Sequence, residues 1–334
     1  MNRRVTVRDV AAEAGVSQAT ASRVLAGNES VDPALARKVQ EATRKLGYTA
    51  NVMARALRTQ HTGTIGVVVP SISNPYFISV VEALEGVLAE TQRSLILCDA
   101  RDSPAIEADR IALLLGRMVD GLIVIPVSAT DSAEALRSAS GQRPVLQFDR
   151  YVASAGTDFI GTDNRDGLRQ MIEHVRALGC ESFAYVGSRA TTSTAVERLE
   201  AFRALASTPH LSEHWELLGE YNVDWGLEAG RRLLDSGALP DAIICSADLI
   251  AVGVLTVLKD AGVRVPDDVK VVSYDDSMMG RITSPTLTSV RQPVEEMARE
   301  AIRLLDGGPG QSSARKCIFT PQLIVRESTG AEPE

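Results

Sequence analysis

From Thr64 onward the chain alternates short, apolar, β-rich runs with helical stretches, and this alternation restricts the fold more than any other feature. The runs are "TIGVVV", "SLILCDA", "GLIVIPV", "PVLQFD", "SFAYVG", "DAIICS" and "VKVVSYDD". Between them lie segments of helical period, such as residues 77–91 and 164–178. Such a pattern predicts an α/β body, with doubly wound parallel sheets carrying helices on both faces. The runs are apolar throughout rather than at every second residue, as expected of strands covered on both sides. In a chain of 334 residues this body is too long for one such sheet, so two subdomains are expected.

Ligands of doubly wound sheets bind beyond the carboxyl ends of the strands. The residues that follow the apolar runs are therefore the candidates. Asn74, Tyr76 and Phe77 follow the first run, and Asp149 and Arg150 follow "PVLQF". Arg198 follows a Thr/Ser loop after "FAYVGS", and Tyr221 follows "LLGE". Asp248 follows "IICSA", Asp275 and Asp276 follow "VVSY", and Gln292 sits in "SVRQP". Aromatic rings stack on the apolar faces of a sugar or base, and Asp, Asn, Gln and Arg satisfy hydroxyls in bidentate fashion. Singly, each residue is equally compatible with a helix cap or a surface ion pair.

The first 60 residues differ in charge and pattern. They carry ten Lys/Arg against five acids, a net +5, which leaves −13 on the rest of a chain of net charge −8. A basic head on an acidic body suits an anionic partner for the head alone, although a solvated surface gives the same asymmetry. Thr6 to Asp9 reads as a capping box with Asp in place of Glu or Gln. Gly15 suits the positive φ that ends a helix. Ser17 can cap a second helix over residues 18–26, and Asp32-Pro33 opens a third that stops at Gly47. Three short helices with a tight turn between the first two form a helix-turn-helix pattern. On the second, Ala21, Val24 and Leu25 face inward, leaving Gln18, Ala19, Ser22 and Arg23 outside. These groups match base edges in a major groove, and Ser17 and Thr20 suit phosphate oxygens. A small bundle with a polar face has the same period.

"VTVRDVAAEAGVSQATASRVLAG" followed by "VDPALARKVQEATRKLGYTAN" resembles the DNA-binding headpiece of the LacI/GalR family, and the likeness runs the length of the chain. The resemblance implies a DNA-binding transcriptional regulator, in most of the family a repressor, working as a homodimer on operator DNA. It makes the helix from Ser17 the recognition helix, with Gln18 and Ala19 at operator-dependent positions and Arg23 as a base-reading residue. Thr6 and Asn28 join the DNA-contacting set. Asn51, Ala54, Leu57 and Arg58 fall in the family's hinge helix, where Leu57 matches the minor-groove wedge. Ala21 replaces a commoner Val, and Ala50 a usual Pro.

The body resembles the family's effector domain, which shares its fold with periplasmic sugar-binding proteins. In ribose-binding relatives, the positions of Asn74, Tyr76, Phe77, Asp149, Arg150, Arg198, Tyr221, Asp275 and Gln292 hold the sugar, with the three aromatics sandwiching its ring. Ala247 replaces an Asn, which points away from plain ribose recognition towards a substituted ligand such as a nucleoside. The implied domains are a headpiece at 1–50, a hinge and linker at 51–62, and a body at 63–334. Within the body, an N-subdomain covers about 63–161 and 292–320, and a C-subdomain about 162–291 and 321–330.

Other classes fit less well. No Walker-type loop or G-x-S-x-G elbow occurs, and no G-x-G-x-x-G follows a strand, so no enzyme is expected. Four scattered Cys and four His show no metal-ligand spacing, and neither metal nor cofactor is expected. The N-terminus lacks the apolar stretch of an export signal, and no apolar run is long enough to span a bilayer, so the cytoplasm is expected. The acidic "STGAEPE" lacks a heptad tail, which favours a dimer over a tetramer.

Overall fold

The computed structural model describes residues 5–25, 31–48, 61–206, 215–307 and 314–330. The chain divides into two compact units, residues 1–62 and 63–334.

The first unit holds α1 (Val7–Ala14), α2 (Gln18–Leu25) and α3 (Pro33–Lys45). Thr6 and Asp9 form the capping box, and Gly15 takes a left-handed φ of 65° after α1. Asp32 caps α3 by accepting from the backbone of Ala34 and Leu35, with Pro33 in the first turn. Val10, Ala11, Ala21, Val39 and Ala42 form a small closed core.

The second unit contains two six-stranded sheets. The first takes β1 (Thr64–Val69), β2 (Ser94–Asp99), β3 (Gly121–Val124), β4 (Val145–Phe148), β5 (Asp158–Thr162) and β11 (Lys316–Phe319). Its order is β11-β5-β4-β3-β1-β2, parallel throughout. The second takes β6 (Phe183–Ser188), β7 (Glu216–Gly219), β8 (Ala242–Cys245), β9 (Lys270–Asp275), β10 (Thr288–Arg291) and β12 (Gln322–Ile324). Its order is β12-β10-β9-β8-β6-β7, parallel except for antiparallel β12. Both sheets thus share one winding order, with a switch point beside the first strand of each.

Helices cover both faces. Ile65, Val67 and Val69 of β1 pack with α4 (Pro75–Glu90) and α12 (Val294–Asp306). Val68 turns to the opposite face, to the side of α5 (Pro104–Gly116) and α6 (Ala133–Ser140). On the second sheet, α7 (Asn164–Ala177) and α8 (Ser193–Leu205) pack on one face. On the other face lie α9 (Val223–Asp235) and α10 (Asp248–Asp260). A short α11 (Met278–Ile282) follows β9. The edge strand β2 departs from the expectation of double coverage, since Ile96 and Leu97 are each 37% exposed.

The chain passes between the sheets three times, at residues 162–164, 291–294 and 319–322. The Thr162 hydroxyl donates to Gln292 Oε1 at 2.7 Å, and the backbone of Asp163 donates to that of Phe319 at 2.9 Å. The three crossings are therefore stitched to one another, next to the carboxyl ends of both sheets.

Candidate functional site

On the first unit, Ser17 Oγ accepts from the backbone of Thr20 at 3.1 Å and fixes the start of α2. The Ser17 and Thr20 hydroxyls lie 2.9 Å apart. Ala21 is fully buried, with Val24 and Leu25 half-buried beside it. Gln18, Ala19 and Arg23 are exposed, Ser22 and Thr20 half-buried, and Thr6 exposed at the head of α1. Ala21 faces inward and Gln18, Ala19 and Arg23 outward as the period reads, whereas Ser22 is half-buried rather than fully outside. Asn28, Asn51, Ala54, Leu57 and Arg58 lie outside the described residues.

In the body, both sheets aim their strand ends at one small cavity. Asn74, Tyr76, Phe77, Asp149 and Arg150 line it from the first sheet, and Thr194, Arg198, Tyr221 and Asp275 from the second. Its free volume is about 10 Å³, room for a single water. Asn74 caps α4, its Oδ1 accepting from the backbone of Tyr76 at 3.0 Å, so the cap also fixes the ring that follows. The Tyr76 hydroxyl donates to Asp149 at 3.0 Å. Arg150 lies 3.8 Å from Asp149, and Arg198 lies 3.9 Å from Asp275. Both ion pairs sit beyond hydrogen-bonding reach, so donors and acceptors keep capacity for a hydroxyl group.

The aromatic arrangement differs from the one the resemblance implied. The Arg150 guanidinium carbon is 5.3 Å from the ring centres of both Phe77 and Tyr221, so a cation of the protein itself occupies the slot between them. Arg150 Nε and the Tyr221 hydroxyl are buried and make no hydrogen bond among the described residues. An unsatisfied buried polar group costs about 1–3 kcal/mol, which an incoming partner would recover.

Gln292 stands behind the cavity rather than on its wall, donating to Asp275 Oδ1 at 3.0 Å. Arg198 is held from three sides. Its Nε donates to Asn164 Oδ1 at 2.8 Å, its Nη1 donates to the Ser246 carbonyl at 2.7 Å, and its carbon lies 3.6 Å from the Tyr274 ring centre. Asn164 in turn donates to Glu197 at 2.7 Å. Ala247 is buried at the start of α10, away from the cavity wall. Asp248 accepts from Ser277 N at 2.6 Å and from the Ser289 hydroxyl at 2.8 Å, which makes it a brace between the loop after β9 and strand β10.

The two adjacent carboxylates part company. Asp275 enters the cavity, while Asp276 is fully buried and paired with Arg281, Arg291 and Arg326. Asp149, Asp275 and Asp276 have φ of 62°, 105° and 47°. Left-handed backbone at non-glycine residues costs of order 1–3 kcal/mol and concentrates at functional sites. Burial pushes Asp275 up to about 7, with Arg198 opposing the shift and Asp248 and Asp149 adding to it. Burial likewise raises Asp149, against the pull of Arg150 and Arg198, and holds Tyr76 well above its ordinary value.

Such a cavity carries groups of both charges and aromatic walls. Among the described residues no group of three or more His, Cys, Asp or Glu is placed to hold a metal, and no helix is long and apolar enough to cross a membrane.

Residues 6–51 match the family model for bacterial regulatory proteins of the lacI family, and residues 172–329 match that for a periplasmic binding protein-like domain. The chain is 30% identical over 332 residues to the HTH-type transcriptional repressor PurR of Haemophilus influenzae (strain PittEE), covering 97% of this chain and 98% of the relative. This chain belongs to the lacI family of bacterial regulatory proteins. The structure of the transcriptional regulator CelR in complex with cellobiose is 31% identical, with a TM-score of 0.71 over 97% of this chain and all of the other. The lac repressor dimer bound to operator and an anti-inducer is 26% identical, with a TM-score of 0.88 over 98% and 100%. The chain is thus an effector-controlled, DNA-binding transcriptional regulator and not an enzyme, and its α/β body is that of the lac repressor fold.

Proposed function

We propose that this regulator binds its operator as a homodimer through α2 and releases or grips it according to a sugar-like effector held in the body cavity. The observation that carries this reading is the convergence of two carboxylates, two guanidinium groups and three aromatic rings from both sheets on one small cavity. A polyhydroxylated guest would replace the long Arg150–Asp149 and Arg198–Asp275 contacts with hydroxyl-bridged ones. The cellobiose in CelR supports a carbohydrate effector. A cavity of about 10 Å³ must open to admit it, so binding is tied to motion between the subdomains.

On this reading Gln18, Ala19, Ser22 and Arg23 meet base edges, and Thr6, Ser17, Thr20 and Asn28 meet phosphates or flanking bases. Asn51, Ala54, Leu57 and Arg58 form the hinge at the operator centre. Pairing of two bodies would cover Ile96 and Leu97 on the β2 edge, an exposed apolar strand of the kind that invites a partner. Such pairing would also cover the exposed Ile78, Met278 and Ile282. The lac repressor dimer supports the assembly, and work on operator DNA would place the protein in the cytoplasm.

The test is an operator-binding titration with and without candidate sugars. Arg23→Ala should lose about 1–3 kcal/mol of specific affinity and relax preference at one base pair. Arg198→Ala should keep operator affinity but lose the response to the sugar. Operator binding by Arg198→Ala that still responds to the sugar as wild type does would overturn this assignment of the site.

A further inference from the structure

Outside the inner cavity a vestibule of about 710 Å³ opens between the loop after β3 and the loop after β6. Asn74, Phe77, Arg150 and Tyr221 line both spaces. The buried Arg150 Nε and Tyr221 hydroxyl, which lack hydrogen-bond partners among the described residues, therefore stand at the junction of the two.

The vestibule wall is anchored from beneath. Glu107, fully buried on α5, accepts from Val127 N at 2.7 Å, and Ser132 Oγ accepts from Ser128 N at 3.2 Å. Ala129 N donates to the Thr191 carbonyl at 2.9 Å, which ties this loop to the opposite one across the cleft. The wall carries the hydroxyls of Thr130 and Thr191, and those of Ser128 and Thr192, which already accept from the backbone of Thr130, Asp131 and Ala195 and so brace the loops. It also carries Asp102, Asp131 and Glu220, the last paired with Arg189. Arg150 is the one cation lining it among the described residues.

We propose that this vestibule is a second subsite and that the effector is an uncharged two-ring carbohydrate, one ring in the inner cavity and the other between the loops. This rests on the effector reading above. Hydroxyl and carboxylate groups match the hydroxyls of a second sugar ring. A phosphate ester in the vestibule would face Asp102 and Asp131 and lose to like-charge repulsion. A nucleobase would need an aromatic face, and the aromatics here, Phe77 and Tyr221, already flank Arg150 at the junction. The bridging oxygen between two rings is an acceptor with no proton of its own, which suits the waiting Arg150 N–H.

The test is calorimetry of the full-length protein against neutral disaccharides, their component monosaccharides, the matching sugar phosphates and nucleosides. A neutral disaccharide should bind at least tenfold tighter than either of its monosaccharides, and its phosphate ester should bind more weakly still. Thr130→Trp should cut affinity for the disaccharide at least tenfold more than for the monosaccharide. Thr191→Trp, on the facing loop, should do the same, and thermal melts report whether each variant is folded. A monosaccharide as the tightest ligand, indifferent to both variants, would sink the second subsite while leaving the sugar-effector reading intact. A nucleoside or sugar phosphate as the tightest ligand would overturn the class proposed here. Failure of every carbohydrate to bind would overturn both readings together.

Discussion

At the scale of single residues, Asp275 carries the sharpest consequence. Its pKa of about 7 lies far above the ordinary carboxylate value, so between about pH 4 and pH 7 the folded protein holds a proton that the unfolded chain releases. The group's contribution to stability is complete below that window and lost as pH rises through it, by at most about 1.4 kcal/mol per pH unit. Asp275→Asn mimics the protonated acid, so it should flatten the fall of melting temperature between about pH 5 and pH 7.5. Asp149 and Asp248 are raised in the same direction and preserve part of the slope. An unchanged slope in the variant would assign the titration to other groups. The position of Asp275 was legible in the sequence because an apolar run stops there and the fold puts strand ends at the site. The division of labour with Asp276 was not legible, because its three arginine partners come from separate elements and Arg326 is distant in sequence. Thr194 on the wall, Gln292 behind it and Tyr274 under Arg198 are set by tertiary packing, which leaves no local signature.

At the scale of elements, the more apolar runs declared themselves, whereas β5, β7, β10, β11 and β12 did not. Those strands are interrupted by polar or glycine residues, and β11 and β12 are only half-covered, so no continuous apolar run marks them. Yet the ends of β5, β10, β11 and β12 frame the three crossings between the two sheets. A contact across the cleft, also silent in the sequence, ties the two subdomains together. Tyr151, in the loop after β4, donates its hydroxyl to Glu197 on α8 at 3.0 Å and its backbone N–H to Ser193 at 2.9 Å. Neither bond needs a guest, so the closed form is held in part by the protein alone. Tyr151→Phe removes the bond to the carboxylate and keeps the ring. Apparent affinity scales with the population of the binding-competent form, and the half-exposed bond supplies at most about 1.5 kcal/mol. Effector affinity should therefore fall by up to about tenfold, chiefly through faster dissociation, with operator affinity in the absence of effector shifted in the direction that opening favours. Equal dissociation rates for variant and wild type would show that closure does not depend on this contact.

For the whole molecule, charge and linkage decide what the two units owe each other. The basic head and the acidic body divide the work of meeting an anionic duplex, so phosphate neutralisation and its salt dependence belong to the head. The body then influences DNA only by preferring one conformation when an effector is bound, and a ligand shifts an equilibrium no further than its differential affinity for the two states. Thermodynamic reciprocity follows. If the effector changes operator affinity by some factor, the operator must change effector affinity by the same factor, for a coupling of typically about 1–3 kcal/mol. Calorimetric titration of the effector into the full chain, alone and saturated with operator duplex, should give dissociation constants that differ about fivefold to 150-fold. The ratio should equal the one obtained by titrating DNA with and without effector. Raising the salt should weaken operator binding steeply while leaving effector binding to the free protein nearly unchanged, because the cavity charges are buried and the proposed effector is uncharged. Identical effector affinity in the free and operator-bound protein would mean that the cavity and the DNA-reading helix are not linked, whatever each of them binds.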